Sequence, residues 1–140
     1  MALHWDDGLL LGNTEIDGHH RQIFGHFEKL SLACQAGVGE EVLKELLSDL
    51  NDYVNIHFSA EESFMVQHNY PKLSEQQGQH TIFRKIVNDL HEMALGDKDL
   101  HQLSIIVDRQ LILWFIQHIK HSDQDMANYI SAQLPESALQ

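Results

Sequence analysis

The chain has 140 residues, which suits one domain built around one hydrophobic core. Hydrophobic residues make up 43% of it, and this fraction excludes an intrinsically disordered chain. The formal net charge of −12 argues against nucleic acid or an anionic membrane surface as a partner.

Four long segments follow one another along the chain, separated by residues that break helices. The breakers are Gly12-Asn13-Thr14 before the first segment, Gly37 and Gly39 after it, Asn69-Tyr70-Pro71 after the second, Gly96-Asp97 after the third and Pro135 after the fourth. Thr14 or Asp17 is the expected N-cap of the first helix. Each segment is about 20 to 30 residues long, an ordinary helix length for an up-down bundle.

Short joints between long helices imply antiparallel neighbours, and no segment shows the alternation typical of strands. We therefore predict an all-α fold, an up-down-up-down antiparallel four-helix bundle with an N-terminal extended arm. The prediction is one domain over residues 1–140. The arm covers about 1–14, and a tail or linker stub covers about 132–140.

The single cysteine, Cys34, excludes an intrachain disulfide and fits a reducing compartment. The N-terminus lacks the basic and apolar regions of a signal peptide. No apolar run approaches the ~20 residues needed to span a bilayer. The expected location is therefore the cytoplasm, with no membrane contact from this segment.

Each predicted helix carries polar or ionisable residues where its apolar stripe calls for a core residue. These residues are His20, His57, Glu61, Gln76, His80 and His118. Burying an unpaired carboxylate costs several kcal/mol, and no Lys or Arg lies on the stripes to pair with Glu61. A metal ion is the simplest partner, because imidazole and carboxylate together suit iron, zinc or copper.

The spacing of these residues restricts which of them can share a metal. His57 and Glu61 are four residues apart, so both side chains can reach one centre, and Gln76 and His80 share that spacing. His118 and Asp123 are five apart, about 140° around a regular helix, and would diverge. They converge only if the helix widens locally, as in a π-turn, or ends there.

Several metal classes are disfavoured by motifs that the chain lacks. No Glu has a His three residues later, which argues against the ferritin-like di-iron class. There is no His-Glu-x-x-His motif of a zincin protease. One cysteine cannot build a thiolate zinc or iron–sulfur site.

The remaining pattern resembles the hemerythrin-like family, and within it the bacterial branch. The matching residues are Trp5, Gly12, Ile16-Asp17-Gly18-His19-His20, His57-Phe58-Ser59-Ala60-Glu61-Glu62 with Met65, Tyr70-Pro71 with Gln76 and His80, and Trp114-Phe115-Ile116-Gln117-His118-Ile119 with Asp123. These motifs stand in the family's order from Trp5 to Asp123, nearly the whole chain.

This resemblance implies a centre of two iron ions with an oxo or hydroxo bridge. His20 and His57 would bind one iron, His80 and His118 the other, and the carboxylates of Glu61 and Asp123 would bridge them. Dioxygen would bind at an open iron position, where nitric oxide is another possible ligand.

Four apolar residues near the implied ligands are candidates for the wall of a dioxygen pocket. They are Phe24, Phe58, Phe115 and Ile119. Ordinary core packing explains the same residues equally well, and the two interpretations are compatible.

One residue departs from the family pattern. Gln76 stands four residues before His80, where the family has a third histidine for the second iron. An amide oxygen is a far poorer iron ligand than imidazole. Gln76 therefore binds weakly, water takes the position, or another group compensates. His121 and His19 are the compensating candidates, against the interpretation that both are surface histidines.

A second iron that is open to water favours ready oxidation. We therefore predict an oxygen or redox sensor rather than an enzyme, acting as the input domain of a larger signalling protein such as a diguanylate cyclase or chemotaxis receptor. The alternative is a free-standing oxygen carrier or store. A peroxide- or nitric-oxide-handling enzyme is a third class, but no general acid or base stands out to support turnover.

Overall fold

The computed structural model describes residues 5–94 and 99–133. Three long helices come first: α1 over Thr14–Ala36, α2 over Glu40–Gln67 and α3 over Leu73–Ala94. A fourth helical column consists of α4 (Leu100–Ile106), the π-helical segment π1 (Val107–Ile112), α5 (Leu113–His118), the π-helical segment π2 (Ile119–Asp123) and α6 (Gln124–Gln133).

The four helical columns pack around one interior. Helix α1 contacts α2, α2 contacts α3, and the fourth column contacts both α3 and α1, which closes the bundle. The connections at 37–39 and 68–72 are short, and the described residues include no strand. The predicted all-α four-helix bundle is confirmed.

The ends of α1 are set by two short-range features. Gly37 adopts a left-handed conformation with φ of 70°, and its N–H bonds to carbonyls of the last turn, so the helix ends where the sequence predicted. At the other end the prediction of Thr14 or Asp17 as N-cap is wrong. Asn13 is the cap, because its extended backbone lets its side chain accept the N–H of Ile16 at 3.0 Å.

Asp17 instead fastens the N-terminal arm to α1. Its carboxylate accepts the backbone N–H groups of Leu11 at 2.8 Å and Gly12 at 3.1 Å. The arm also contains a short 3₁₀ turn at Asp7–Leu9, so it is not extended throughout. Of the predicted tail, residues 132 and 133 belong to α6 and 134–140 lie outside the described residues.

Two apolar clusters fill the bundle, and a layer of buried histidine and carboxylate side chains, which we call the polar layer, separates them. The larger cluster includes Phe27, Leu47, Phe83 and Leu111, and the smaller one consists of Ile16, Met65, Tyr70, Met126 and Ile130. Within the described residues, no helix is both long and apolar enough to cross a membrane. The polar layer between the clusters is the feature that ordinary core packing does not explain.

We predict that the large cluster supplies much of the stability. Replacing the fully buried Phe27 by alanine leaves a cavity and should lower the free energy of unfolding by about 3–5 kcal/mol, measured by urea denaturation. Leu32→Ala on the same helix is the control, because Leu32 is 64% exposed and should change stability by less than about 0.5 kcal/mol. Equal losses from both variants would contradict this assignment of the core.

Candidate metal centre

The polar layer brings together the six residues that the family resemblance implied as metal ligands. Helix α1 contributes one of them, α2 two, α3 one and the fourth column two. These are His20, His57, Glu61, His80, His118 and Asp123, and none is more than 4% exposed. Six ionisable side chains at one level of a bundle interior require mutual compensation, because each alone would be costly to bury.

The first group of donor atoms contains the imidazoles of His20 and His57. The Nε2 atom of His57 lies 3.0 Å from Oε2 of Glu61. The Nε2 atom of His20 lies 3.6 Å from the same Oε2 and 3.3 Å from Oδ2 of Asp123. Oε2 of Glu61 therefore faces both imidazoles, and Oδ2 of Asp123 faces that of His20.

The second group repeats this arrangement with the remaining oxygens. The Nε2 atom of His80 lies 3.1 Å from Oε1 of Glu61. The Nε2 atom of His118 lies 3.2 Å from Oδ1 of Asp123 and 3.9 Å from Oε1 of Glu61. Each carboxylate thus offers one oxygen to each pair of imidazoles, which is the arrangement of a bridging ligand between two metal ions.

The π2 segment explains how Asp123 reaches this centre. In a π-helix the hydrogen bonds run between residues five apart, and here the N–H of Gln124 reaches the carbonyl of Ile119. The wider turn places residues of that spacing close to one face, so His118 and Asp123 point together. The sequence left two routes open, a widened turn or a helix end, and the helix continues as α6.

Without a metal, protons on imidazole balance the buried carboxylates. Burial lowers the pKa of His20, but its contacts with Asp123 and Glu61 outweigh burial and raise that pKa to about 9. The same balance, with Asp123 as the main partner, raises the pKa of His118 to about 10. Burial opposes ionisation of Glu61, yet the imidazoles, His57 foremost, hold the pKa of its carboxyl well below its ordinary value.

The donor atoms fit a metal better than they fit one another. Nε2 of His20, His57 and His118, Oε2 of Glu61 and Oδ2 of Asp123 are buried and make no well-aligned hydrogen bond. Unsatisfied buried polar atoms are costly, and two bound cations, one at each group of donors, would satisfy them. Two sets of donors close enough to share an ion are His20, His57 and Glu61, and Glu61, His80 and His118.

Residues that adjoin the candidate ligands in sequence contact the Nδ1 atoms of three imidazoles, which we call their outer nitrogens. Nδ1 of His80 donates to Oε2 of Glu62 at 2.7 Å. Nδ1 of His118 donates to Oε1 of Gln79 at 2.6 Å, and the hydroxyl of Ser122 donates to the same oxygen at 2.8 Å. Such contacts fix ring orientation and leave Nε2 free for a metal.

His19 has the same role for His57, with the two Nδ1 atoms 3.1 Å apart. The sequence predicts His19 either as a ligand or as a surface histidine, and it indicates no supporting role for Glu62 or Gln79. Each of the three adjoins a candidate ligand along the chain and supports a ligand on the next helix. That adjacency was the available signal, but the pairing across helices was not visible in the sequence.

Gln76 is buried at the edge of the second group, 2% exposed. Its Nε2 lies 3.0 Å from Oδ1 of Asp123. Because a carboxylate only accepts hydrogen bonds, the amide nitrogen must be the atom that faces it. The amide oxygen Oε1 is buried, and no described residue hydrogen-bonds to it. His121 does not compensate, since it is exposed and contacts Gln117 at 3.1 Å.

The four apolar candidates for a pocket wall are buried beside the imidazoles. Phe58 stacks on His80 with ring centroids 3.8 Å apart, and Phe115 lies edge-on to His20 at 5.6 Å. Phe24 packs against Phe115 at 6.0 Å, and Ile119 is fully buried. They belong to the large apolar cluster, so they exclude water from that side of the centre.

A four-helix bundle whose two imidazole pairs share two carboxylates defines a dinuclear metal-binding domain. The family model described as "Hemerythrin HHE cation binding domain" matches residues 11–130. The chain belongs to the hemerythrin family, whose members carry a di-iron centre and bind dioxygen.

Individual relatives agree with this membership. The chain is 28% identical to a bacteriohemerythrin of Stenotrophomonas maltophilia over 137 residues, 97% of this chain and 86% of that protein. It is 36% identical to a bacteriohemerythrin of Campylobacter jejuni over 90 residues, 64% of this chain and 65% of that protein. A hemerythrin-like protein of Naegleria gruberi is 31% identical over 120 residues, 86% of this chain and 87% of that protein. No solved structure matches the chain.

Glu61 contacts both groups of donors, so its charge should be essential for metal content. We predict that Glu61→Gln, which keeps the shape of the side chain, lowers the iron content from two ions per chain to fewer than one, measured by elemental analysis. Glu45→Gln, an exposed position on the same helix, should keep both ions. Unchanged helicity in the circular dichroism spectrum would show that both variants fold. Full iron content in Glu61→Gln would contradict a bridging role.

Proposed function

We propose that this domain is an oxygen and redox sensor. Its proposed ligand set is His20 and His57 on one iron, His80 and His118 on the other, and Glu61 and Asp123 as bridges. The support is the pairing of carboxylate oxygens, one oxygen of each carboxylate towards each pair of imidazoles, at 3.0–3.9 Å.

When bound in the ferrous state, the two ions supply two electrons to dioxygen. The surrounding residues orient the ligands and control access. His19, Glu62 and Gln79 hold the outer nitrogens of three imidazoles. Phe24, Phe58, Phe115 and Ile119 are proposed as the apolar wall of the dioxygen pocket, on the side that excludes water.

The observation that carries the sensing proposal is the orientation of Gln76. Because residue 76 is Gln, the second group has two imidazoles rather than three. The amide nitrogen of Gln76 faces Asp123 and has no lone pair to offer a metal. A metal ion with fewer strong donors keeps positions open to water and small ligands. Such a centre changes its oxidation state readily, which suits a sensor better than a stable store.

The fourth column offers a route for the signal. His118 and Asp123 lie at the two ends of the five-residue step that contains π2, and α6 follows directly. A change in the position of either side chain would be transmitted to α6. We propose that the domain serves as the input of a larger cytoplasmic signalling protein, of which a diguanylate cyclase or a chemotaxis receptor is an example.

The proposal predicts the effect of restoring an imidazole at the position of Gln76. In Gln76→His, the reduced protein exposed to air should convert to the diferric form about tenfold more slowly, followed by absorption spectroscopy. Loss of iron to a chelator should also slow. Gln22→His, an exposed position on α1, is the matched control and should oxidise at the rate of the unmodified protein.

The outcome also separates sensing from carriage. A reduced protein that takes up dioxygen and returns it over repeated cycles would favour the free-standing oxygen carrier. Rapid conversion to the diferric form, slowed only by Gln76→His, would favour the sensor. Equal oxidation rates in the unmodified protein and Gln76→His would overturn the role assigned to Gln76.

A further inference from the structure

A small cavity of about 40 Å³ lies between the start of α3 and the π2–α6 part of the fourth column. Seven residues line it: Tyr70, Lys72, Glu75, Gln76, Gln79, Ser122 and Asp125. None of them is among the six proposed ligands, yet Gln76 contacts Asp123 and Gln79 contacts His118. The cavity therefore adjoins the second group of donor atoms.

The cavity connects this buried region with solvent. At its inner end Gln76 is 2% exposed. At its outer end Lys72, Glu75 and Asp125 are exposed and form what we call the mouth. The lining thus passes from solvent to a side chain that hydrogen-bonds a proposed bridging carboxylate.

Gln76, the most buried residue of this lining, carries an unused hydrogen-bond acceptor. Its Oε1 is buried and has no hydrogen-bond partner among the described residues, because its Nε2 is the atom that faces Asp123. A buried acceptor without a donor is costly, and water is its simplest partner. The volume of about 40 Å³ exceeds the ~15 Å³ that one water needs.

We propose that this cavity is a polar access route by which water and other small neutral molecules reach the second metal position, past the buried side chain of Gln76. The inference rests on the proposed metal centre. It specifies the path by which exogenous ligands reach that centre, and it makes Gln76 a positioning residue for them.

The position of the cavity separates it from the apolar wall. On α3 the large apolar cluster begins at Phe83, three residues after His80, whereas the residues of α3 that line the cavity, Glu75, Gln76 and Gln79, all precede His80. Phe58 stacks on the ring of His80 and belongs to the apolar side. Polar ligands therefore have a path that avoids the phenylalanine cluster.

The charges of the mouth determine which ligands pass easily. Two carboxylates, Glu75 and Asp125, accompany one ammonium group, Lys72. The net negative charge repels anions and has little effect on neutral molecules. Neutralising both carboxylates leaves Lys72 as the only charge, so the route should then admit a small anion faster.

The test measures how fast azide binds to the iron-loaded diferric protein, followed by the absorption band of the ferric azide complex. The double variant Glu75→Gln/Asp125→Asn should bind azide about fivefold faster at low ionic strength. The difference should shrink in 0.5 M salt, because the Debye length falls to a few Å. Iron content is measured on every sample.

A matched control removes two negative charges at positions that lie far from the mouth. Glu45 and Glu92 are exposed, and each lies twelve residues from a proposed ligand on its own helix, roughly 18 Å along the axis. Glu45→Gln/Glu92→Gln should leave the azide rate within about twofold of the unmodified protein.

Repeating both double variants in the Gln76→His background completes the test. An imidazole there would take the position that the route serves, so the effect of the mouth variant should fall to that of the control. Equal effects of the mouth and control variants, or an unchanged mouth effect in Gln76→His, would overturn the inference alone. A chain that holds no iron would overturn the proposed function and the inference with it.

Discussion

Two fully buried carboxylates, Glu61 and Asp123, are the constraint on which the rest of this bundle depends. An ionised carboxylate inside a protein needs a compensating partner close by, and four imidazoles face the two carboxylates here from four helical columns. Every column must therefore present a histidine or carboxylate at the same level. The two apolar clusters above and below that level hold the columns in register, and they keep water from weakening these contacts.

The same constraint accounts for the irregular fourth column. A regular α-helix cannot direct residues five apart at one centre, so the chain widens into π2 between His118 and Asp123. Each of the first three columns also contacts a candidate ligand on the column that follows it. His19 on α1 contacts His57 on α2, Glu62 on α2 contacts His80 on α3, and Gln79 on α3 contacts His118. A shift of one helix would thus disturb a ligand on its neighbour.

Gln76 interrupts the symmetry of this layer. The amide nitrogen of Gln76 donates a hydrogen bond to Oδ1 of Asp123. The amide oxygen of Gln76 has no partner among the described residues, and the side chain lines a polar cavity. One side of the centre is thereby apolar and built from phenylalanine, and the other is polar and reaches solvent. In our proposal this difference separates the dioxygen pocket from the path of water, and it favours a change of oxidation state over storage.

The sequence by itself determined the helical class, the approximate extents of the columns and the core positions of four histidines and Glu61, because periodicity and spacing along one helix are local properties. Asp123 joined this set only through the resemblance to the hemerythrin-like family. The sequence also showed that His118 and Asp123 could converge only if the helix widened or ended between them. It misplaced the cap of α1, since Asn13, Thr14 and Asp17 are all acceptable caps until the backbone is known. Only the tertiary structure decided which atom of Gln76 faces Asp123 and which neighbours support each imidazole, because those contacts join residues on different helices.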